Sequence, residues 1–179
     1  MKFTRTSLAE VLIIEPEPKR DNRGFLARTY CEREFEAHEL NTRWVQQNHT
    51  KTCSAGTIRG LHYQALPCPE IKLVRCLAGR VFDVVVDVRA GSPTFGRWVS
   101  CELSSESMHA LYVPAGFAHG FQCLEDDCEL FYLMSDYYDP DLARGLRWDD
   151  SDVAIAWPLP VKGMSDRDRS LPLLGQLSD

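Results

Sequence analysis

From Glu10 to Tyr138 the chain is a succession of short runs rich in Val, Ile, Leu, Phe and Tyr, most of them closed by turn residues. Runs of that length and composition read as strands. They are EVLIIEP, GFLARTY, RWVQQNHT, TIRGLHYQ, EIKLVRCLAG, RVFDVVVDVR, RWVSCELS, HALYVPAG, HGFQCLE and CELFYLMSDYY. Residues 22–24, 78–79, 90–93 and 114–116 supply the turn chemistry between them. In RVFDVVVDVR, Val81, Asp83, Val85 and Asp87 share one face, and Phe82, Val84, Val86 and Val88 the other. The second face is wholly apolar, as in a strand that turns one side to a sandwich core. The best helix candidate is CEREFEAHEL, residues 31–40. So many short strands with regular turns predict an all-β sandwich or barrel of jelly-roll type with few short helices. The 179 residues show no internal repeat and no dividing linker, so one domain over 1–179 is expected. The Pro-rich, polar tail after Trp157 is expected to be an irregular arm on the surface.

Composition removes several classes of function. The formal net charge is -6 and no basic run occurs, which argues against nucleic-acid binding. A small anionic ligand needs only a few converging cations. The seven cysteines (31, 53, 68, 76, 101, 123 and 128) are odd in number and form no CxxC pair. That is neither a zinc frame nor a secreted disulfide frame. Near the N-terminus the apolar run Val11 to Ile14 is too short for a signal segment or a membrane span. A cytoplasmic protein with reduced thiols and no membrane partner is expected.

VPAGFAHGF places Pro114, Gly116 and His119 in the pattern P-x-G-x-x-H, which resembles the second motif of cupin barrels. Their first motif supplies H-x-H, where this chain has His62-Tyr63-Gln64. Positions i and i+2 of a strand share a face, so Gln64 occupies the place of a second imidazole. An amide oxygen is a poor ligand for transition metals. No metal is therefore expected. The alternative, His62 and His119 with Glu70 as a facial triad in a metal cupin, is more distant. An imidazole freed from coordination in a barrel mouth is a candidate acid or base.

Further segments carry a specific likeness. DNRGFLARTY, QNHTKTCSAGTIRGLHYQ, the run from KLVRC to CELS containing GSPTFG, LYVPAGFAHGFQCL, YLMSDYYDPDLARGLRWDD, AIAWPL and MSDRD occur in the order and spacing of one family. The chain resembles the dTDP-4-dehydrorhamnose 3,5-epimerases, nucleotide-sugar epimerases on a cupin-like jelly-roll barrel, from about residue 10 to residue 172. The resemblance implies a cofactor-independent reaction on a nucleotide-linked 4-keto-6-deoxyhexose. The C–H bonds flanking the ketone are acidic; inversion needs a base on one face, an acid on the other and a cation at O4. The resemblance assigns the base to His62, paired with Asp168 of MSDRD. It assigns the enolate-stabilising cation to Lys72 and the proton donor to Tyr132. Substrate contacts are implied for Arg59, Arg23, His119, Tyr138 (the base-stacking aromatic) and Asn48 with Gln46 or Gln47, of which Gln47 is preferred. Arg167, beside Asp168, is counted with them. Tyr132 and Tyr138, six apart, would share a face if one strand carried both.

Two positions depart from the family pattern. Arg28 and Ala143 stand where many relatives carry glutamate, and about one residue is added between Asn48 and Gly56. Arg28 is retained as a substrate contact. These departures leave open which nucleotide and sugar are used, and whether one centre or both invert. A 3- or 5-monoepimerase, a 3,4-ketoisomerase of a related nucleotide sugar and a non-catalytic sugar-nucleotide binder are the alternatives. The resemblance also implies a homodimer in which the N-terminal strand joins the partner's sheet. The apolar EVLIIEP run is consistent with that need.

Overall fold

The computed structural model describes residues 1–177. Its strands are β1 (Lys2–Arg5), β2 (Leu12–Glu15), β3 (Lys19–Asp21), β4 (Gly24–Leu26), β5 (Gln46–Thr52), β6 (Ile58–Gln64) and β7 (Lys72–Ala78). They continue as β8 (Arg80–Asp87), β9 (Trp98–Ser104), β10 (Ala110–Val113), β11 (Phe117–Cys123), β12 (Cys128–Met134) and β13 (Ala143–Gly145). Helix α1 (Glu32–Ala37) precedes β5, and α2 (Asp166–Arg169) and a 3-10 turn at Leu174–Gln176 follow β13. A six-stranded sheet runs β1-β2-β10-β7-β12-β5 and faces a five-stranded sheet, β13-β6-β11-β8-β9. The pairings are antiparallel, as the jelly-roll expectation requires. No helix among the described residues is long and apolar enough to cross a membrane.

Between the sheets, Val74, Leu111 and Leu130 of one meet Val81, Val85, Phe117 and Phe121 of the other. Each such side chain contributes about 1.5–3 kcal/mol when buried, which makes this interior the main source of stability. The polar positions of β8 correct the simple reading of its alternation. Asp83 and Asp87 are fully buried, on the side of Val81 and Val85 that faces the other sheet. The wholly apolar side, with Val84 and Val86, packs outward against Leu146, Val153 and Leu174. Both faces of β8 are therefore covered, and the face with carboxylates is the interior one.

The tail is a cover for the five-stranded sheet rather than a loose surface arm. Gln122 binds it at both polar atoms, Nε2 donating to Leu159 O and Oε1 accepting from Leu159 N, each at 2.9 Å. Buried Asp150 accepts from Leu174 N at 2.6 Å, and Thr57 bridges to Gly163. Hydrogen bonds to main chain let a Pro-rich segment pack without regular structure. α1 is shorter than the charged run suggested. Only Phe35 of its residues is buried, packed against Phe3 and Tyr30.

Other expectations also change. GFLARTY forms a strand only over Gly24–Leu26, which among the described residues pairs with β3 alone, in an exposed hairpin. β2 finds both neighbours, β1 and β10, within its own chain, so the apolar EVLIIEP run does not need a partner's sheet. CELFYLMSDYY stops as a strand at Met134, where Ser135 turns the chain by exchanging bonds with Ile71.

Candidate active site

His62 sits on β6 in register with His119 of β11. The two strands come unusually close here. A Cβ on Gly60 would lie 2.7 Å from Gly120 Cα, and Gly60 has φ +115°, a conformation that favours glycine. The freed Gly60 N–H donates to Asp168 Oδ2 at 3.2 Å. Asp168 Oδ1 lies 2.7 Å from His62 Nε2. Asp168 is itself held by the Ser165 cap, whose Oγ accepts from Asp168 N at 3.1 Å. Burial alone pushes the Asp168 carboxyl up, but His62, Gly60 and Ser165 outweigh it and hold it below its ordinary value. An ionised carboxylate accepts a hydrogen bond from Nε2–H, which keeps the proton on that nitrogen and leaves Nδ1 with its lone pair. His62 is 38% exposed at the side chain, so Nδ1 can reach a ligand.

A cavity of about 130 Å³ is lined by His62, Lys72, Tyr132, Tyr138, Asn48 and Arg167, together with Glu70, Gln64 and Arg144 among others. Lys72, the first residue of β7, points inward because Val74 and Cys76, on the same side, belong to the interior core. Its Nζ lies 2.7 Å from Glu70 Oε1 and donates to His62 O at 3.3 Å. Tyr132 packs on the interior core beside Asn48; burial raises its phenol above the ordinary value, and a hydrogen bond from Asn48 partly offsets this. Tyr138 reaches the same cavity from a loop, not from β12. Its N–H donates to Gln46 Oε1 at 3.0 Å, and its hydroxyl accepts from Arg167 at 3.4 Å. A second cavity, of about 420 Å³, meets the first at His62 and Arg167 and is lined also by Arg59. Arg59 is fixed there by Thr52 Oγ1 at 2.9 Å and Lys51 O at 3.1 Å.

His119 is buried one strand away, its Nε2 2.8 Å from Asp83 Oδ1. Burial drives Asp83 up from its ordinary value, against His119 and Lys72. Asp83 was not singled out from sequence, although its place in the alternation of β8 marked it as sharing a face with buried valines. Gln47 is off the site: Asn48 faces the cavity, and its neighbour on the strand turns the other way. Gln46 is the member of the pair that bears on the mouth. Arg23 is on the exposed β3–β4 hairpin, paired with Asp21 at 2.6 Å, and Arg28 lies by Glu34 at 3.4 Å. Neither is brought to the cavity within one chain. Ala143 lines it without a carboxylate.

Gln64 is a clamp. Its Nε2 donates to Cys68 O at 2.6 Å and to Tyr137 O at 3.0 Å, and its Oε1 accepts from Asp139 N at 2.9 Å. Glu70, the carboxylate that a His62–His119 metal triad would need, is taken up by Lys72 at 2.7 Å. Among the described residues no three His, Cys, Asp or Glu groups are placed to hold a metal ion. Gln64→Glu keeps the size and one acceptor but replaces the nitrogen that makes both donations with one oxygen repelled by the Cys68 and Tyr137 carbonyls. We expect it to destabilise the fold by about 2–4 kcal/mol and to raise KM through the Tyr138 loop, read by thermal melts and steady-state kinetics. An unchanged melt and KM would remove the clamp.

This arrangement of a carboxylate-held imidazole, a lysine and a tyrosine around one cavity can be set beside known proteins. The sequence profile of the dTDP-4-dehydrorhamnose 3,5-epimerases matches residues 5–176. The chain belongs to that family. The epimerase of Sinorhizobium fredii (strain NBRC 101917 / NGR234) is 44% identical over 178 residues, covering 99% of this chain and 91% of that protein. The crystal structure of the Bacillus anthracis epimerase with TDP and PPi bound superposes with a TM-score of 0.93 at 38% identity, covering 96% of this chain and 98% of that one. The Legionella pneumophila enzyme in complex with dTDP-4-keto-L-rhamnose has TM-score 0.93 at 39% identity, covering 99% and 94%. The cupin-like jelly roll expected from the resemblance is thus the fold of this family member.

Proposed function

We propose that this protein is a cofactor-independent epimerase of deoxysugar biosynthesis, acting in the cytoplasm as one domain on a dTDP-linked 4-keto-6-deoxyhexose. Family membership supports the reaction, and the 2.7 Å contact between His62 and Asp168 in a cavity shared with Lys72 and Tyr132 carries the assignment of roles. His62 Nδ1 removes a proton from carbon next to the ketone. The electron pair moves into the C–C bond and the charge onto O4, where the Lys72 ammonium stabilises it. Tyr132 protonates the carbon from the opposite face. The imidazolium then loses its proton and the tyrosinate regains one, through solvent. Asp168 keeps the imidazole in one tautomer and stabilises its charged form.

Arg167, where the two cavities meet, and Arg59, on the wall of the second, suit the diphosphate. Tyr138, 48% exposed at the mouth, suits stacking on the base. Arg23 and Arg28 enter this reading through a homodimer. The hairpin beside them exposes Phe25 by 56% and Leu26 by 75%, apolar surface that a second copy would cover. A monomeric mass by light scattering at working concentration would remove that part of the reading.

Incubation with dTDP-4-keto-6-deoxy-D-glucose in deuterated water, followed by NMR, tests the function. Deuterium is expected at C3 and C5 of an inverted product. Carbonyl migration to C3 would point to a ketoisomerase, and no exchange at either carbon would sink the proposal. In the same assay Tyr132→Phe is expected to slow formation of inverted product by about 100-fold while C–H exchange persists. Equal loss of both would rule out Tyr132 as the donor.

A further inference from the structure

We propose that Glu70 recognises the sugar hydroxyl on the carbon next to the ketone, and so sets substrate specificity. Glu70 stands two residues before Lys72, and both side chains are more than nine-tenths buried, at 8% and 9% exposure. Oε1 is used by Lys72 Nζ at 2.7 Å. Oε2 is enclosed and has no hydrogen-bond partner. An unsatisfied buried carboxylate oxygen is costly, and it persists where something else completes it. Of the neighbouring donors, Lys72 Nζ is placed on Glu70 Oε1 and His62 O, and Asn48 Nδ2 on Met134 Sδ, so none of these contacts reaches Oε2. The missing donor comes from whatever fills the cavity that Glu70 lines with Lys72, Tyr132 and His62.

The identity of that donor rests on the reaction proposed above. With the ketone oxygen on Lys72, the C5 side offers only a methyl group and the ring oxygen, neither of them a donor. The C3 side offers a hydroxyl about one hydrogen-bond length from the ketone oxygen. A lysine and a carboxylate in contact match that pair, the ammonium donating to O4 and Oε2 accepting from the C3 hydroxyl.

Proton exchange at C5 in deuterated water tests this, using dTDP-4-keto-6-deoxy-D-glucose and its 3-deoxy counterpart as paired substrates. In the wild type, loss of the hydroxyl is expected to lower kcat/KM for C5 exchange by about 10- to 100-fold. In Glu70→Ala the two substrates are expected to agree within about threefold, because the hydroxyl has lost its acceptor. Glu70→Gln, which keeps an uncharged acceptor, is expected to show a reduced penalty, and it decides the matter if the alanine variant does not fold. A penalty as large in either folded variant as in the wild type, or no penalty in the wild type, overturns the role of Glu70. Absence of exchange with the parent sugar in the wild type would instead overturn the reaction itself.

Discussion

Replacing His62 by alanine is expected to lower turnover by at least about 100-fold and as much as 10,000-fold, the range for loss of a positioned general base. Both product formation and C–H exchange with solvent should fall together, since proton removal precedes everything else. That common loss separates His62 from Tyr132, whose replacement spares exchange. Asp168, 7% exposed at the side chain, loses its partner at 2.7 Å but keeps the Gly60 N–H, so the melting temperature should also fall, by less than for a buried charge left with no donor. Near-normal turnover in a folded His62→Ala protein would refute the dyad as the source of the base. Asp168→Asn is a milder probe of the same unit. It retains the size of the carboxylate but no longer holds the imidazole's proton on Nε2 by charge.

Lys72→Met should produce the second large effect, and on two quantities at once. Turnover is expected to fall by about 100- to 1,000-fold, the usual consequence of removing one stabiliser of a developing oxyanion. Stability should fall by about 3–5 kcal/mol as well, because Glu70 is left as a buried charge without its partner. The double replacement Lys72→Met with Glu70→Gln removes both charges. It should recover most of the melting temperature and none of the turnover. Recovery of turnover in the double variant would show that the single replacement acted through misfolding, and the cation's role would be lost. Stability and chemistry are thus separable at this pair, although one contact serves both.

How far each of these residues was visible beforehand differs in a physically intelligible way. Strands of the interior announced themselves through local periodicity, and the families of turns between them through Gly, Pro and Asn. Expectation failed where a segment's neighbours lie far along the chain. The polar tail looked loose because its partners, Gln122 and Thr57, lie far back in the sequence. Tyr138 reaches the cavity by a loop held at Gln46, which no strand alternation indicates. Gln46 and Gln47 are chemically equivalent in sequence; only the register of β5 against β12 decides which one turns toward the mouth. Asp83 was visible as a break in an apolar alternation, but its burial depended on which face of β8 became the interior.

By itself the sequence determined the strand-rich class, the acidic net charge without a basic run and, through its motifs, the family and the residue types for proton transfer. Those properties are local, carried by composition, alternation and short spacing. Only the tertiary structure decided that a carboxylate 106 residues away meets the His62 ring, that Gln64 clamps two loops, and that Glu70 shares Lys72 while keeping one oxygen unpaired. Such contacts join residues whose separation along the chain carries no period, so burial and sheet pairing alone bring them together.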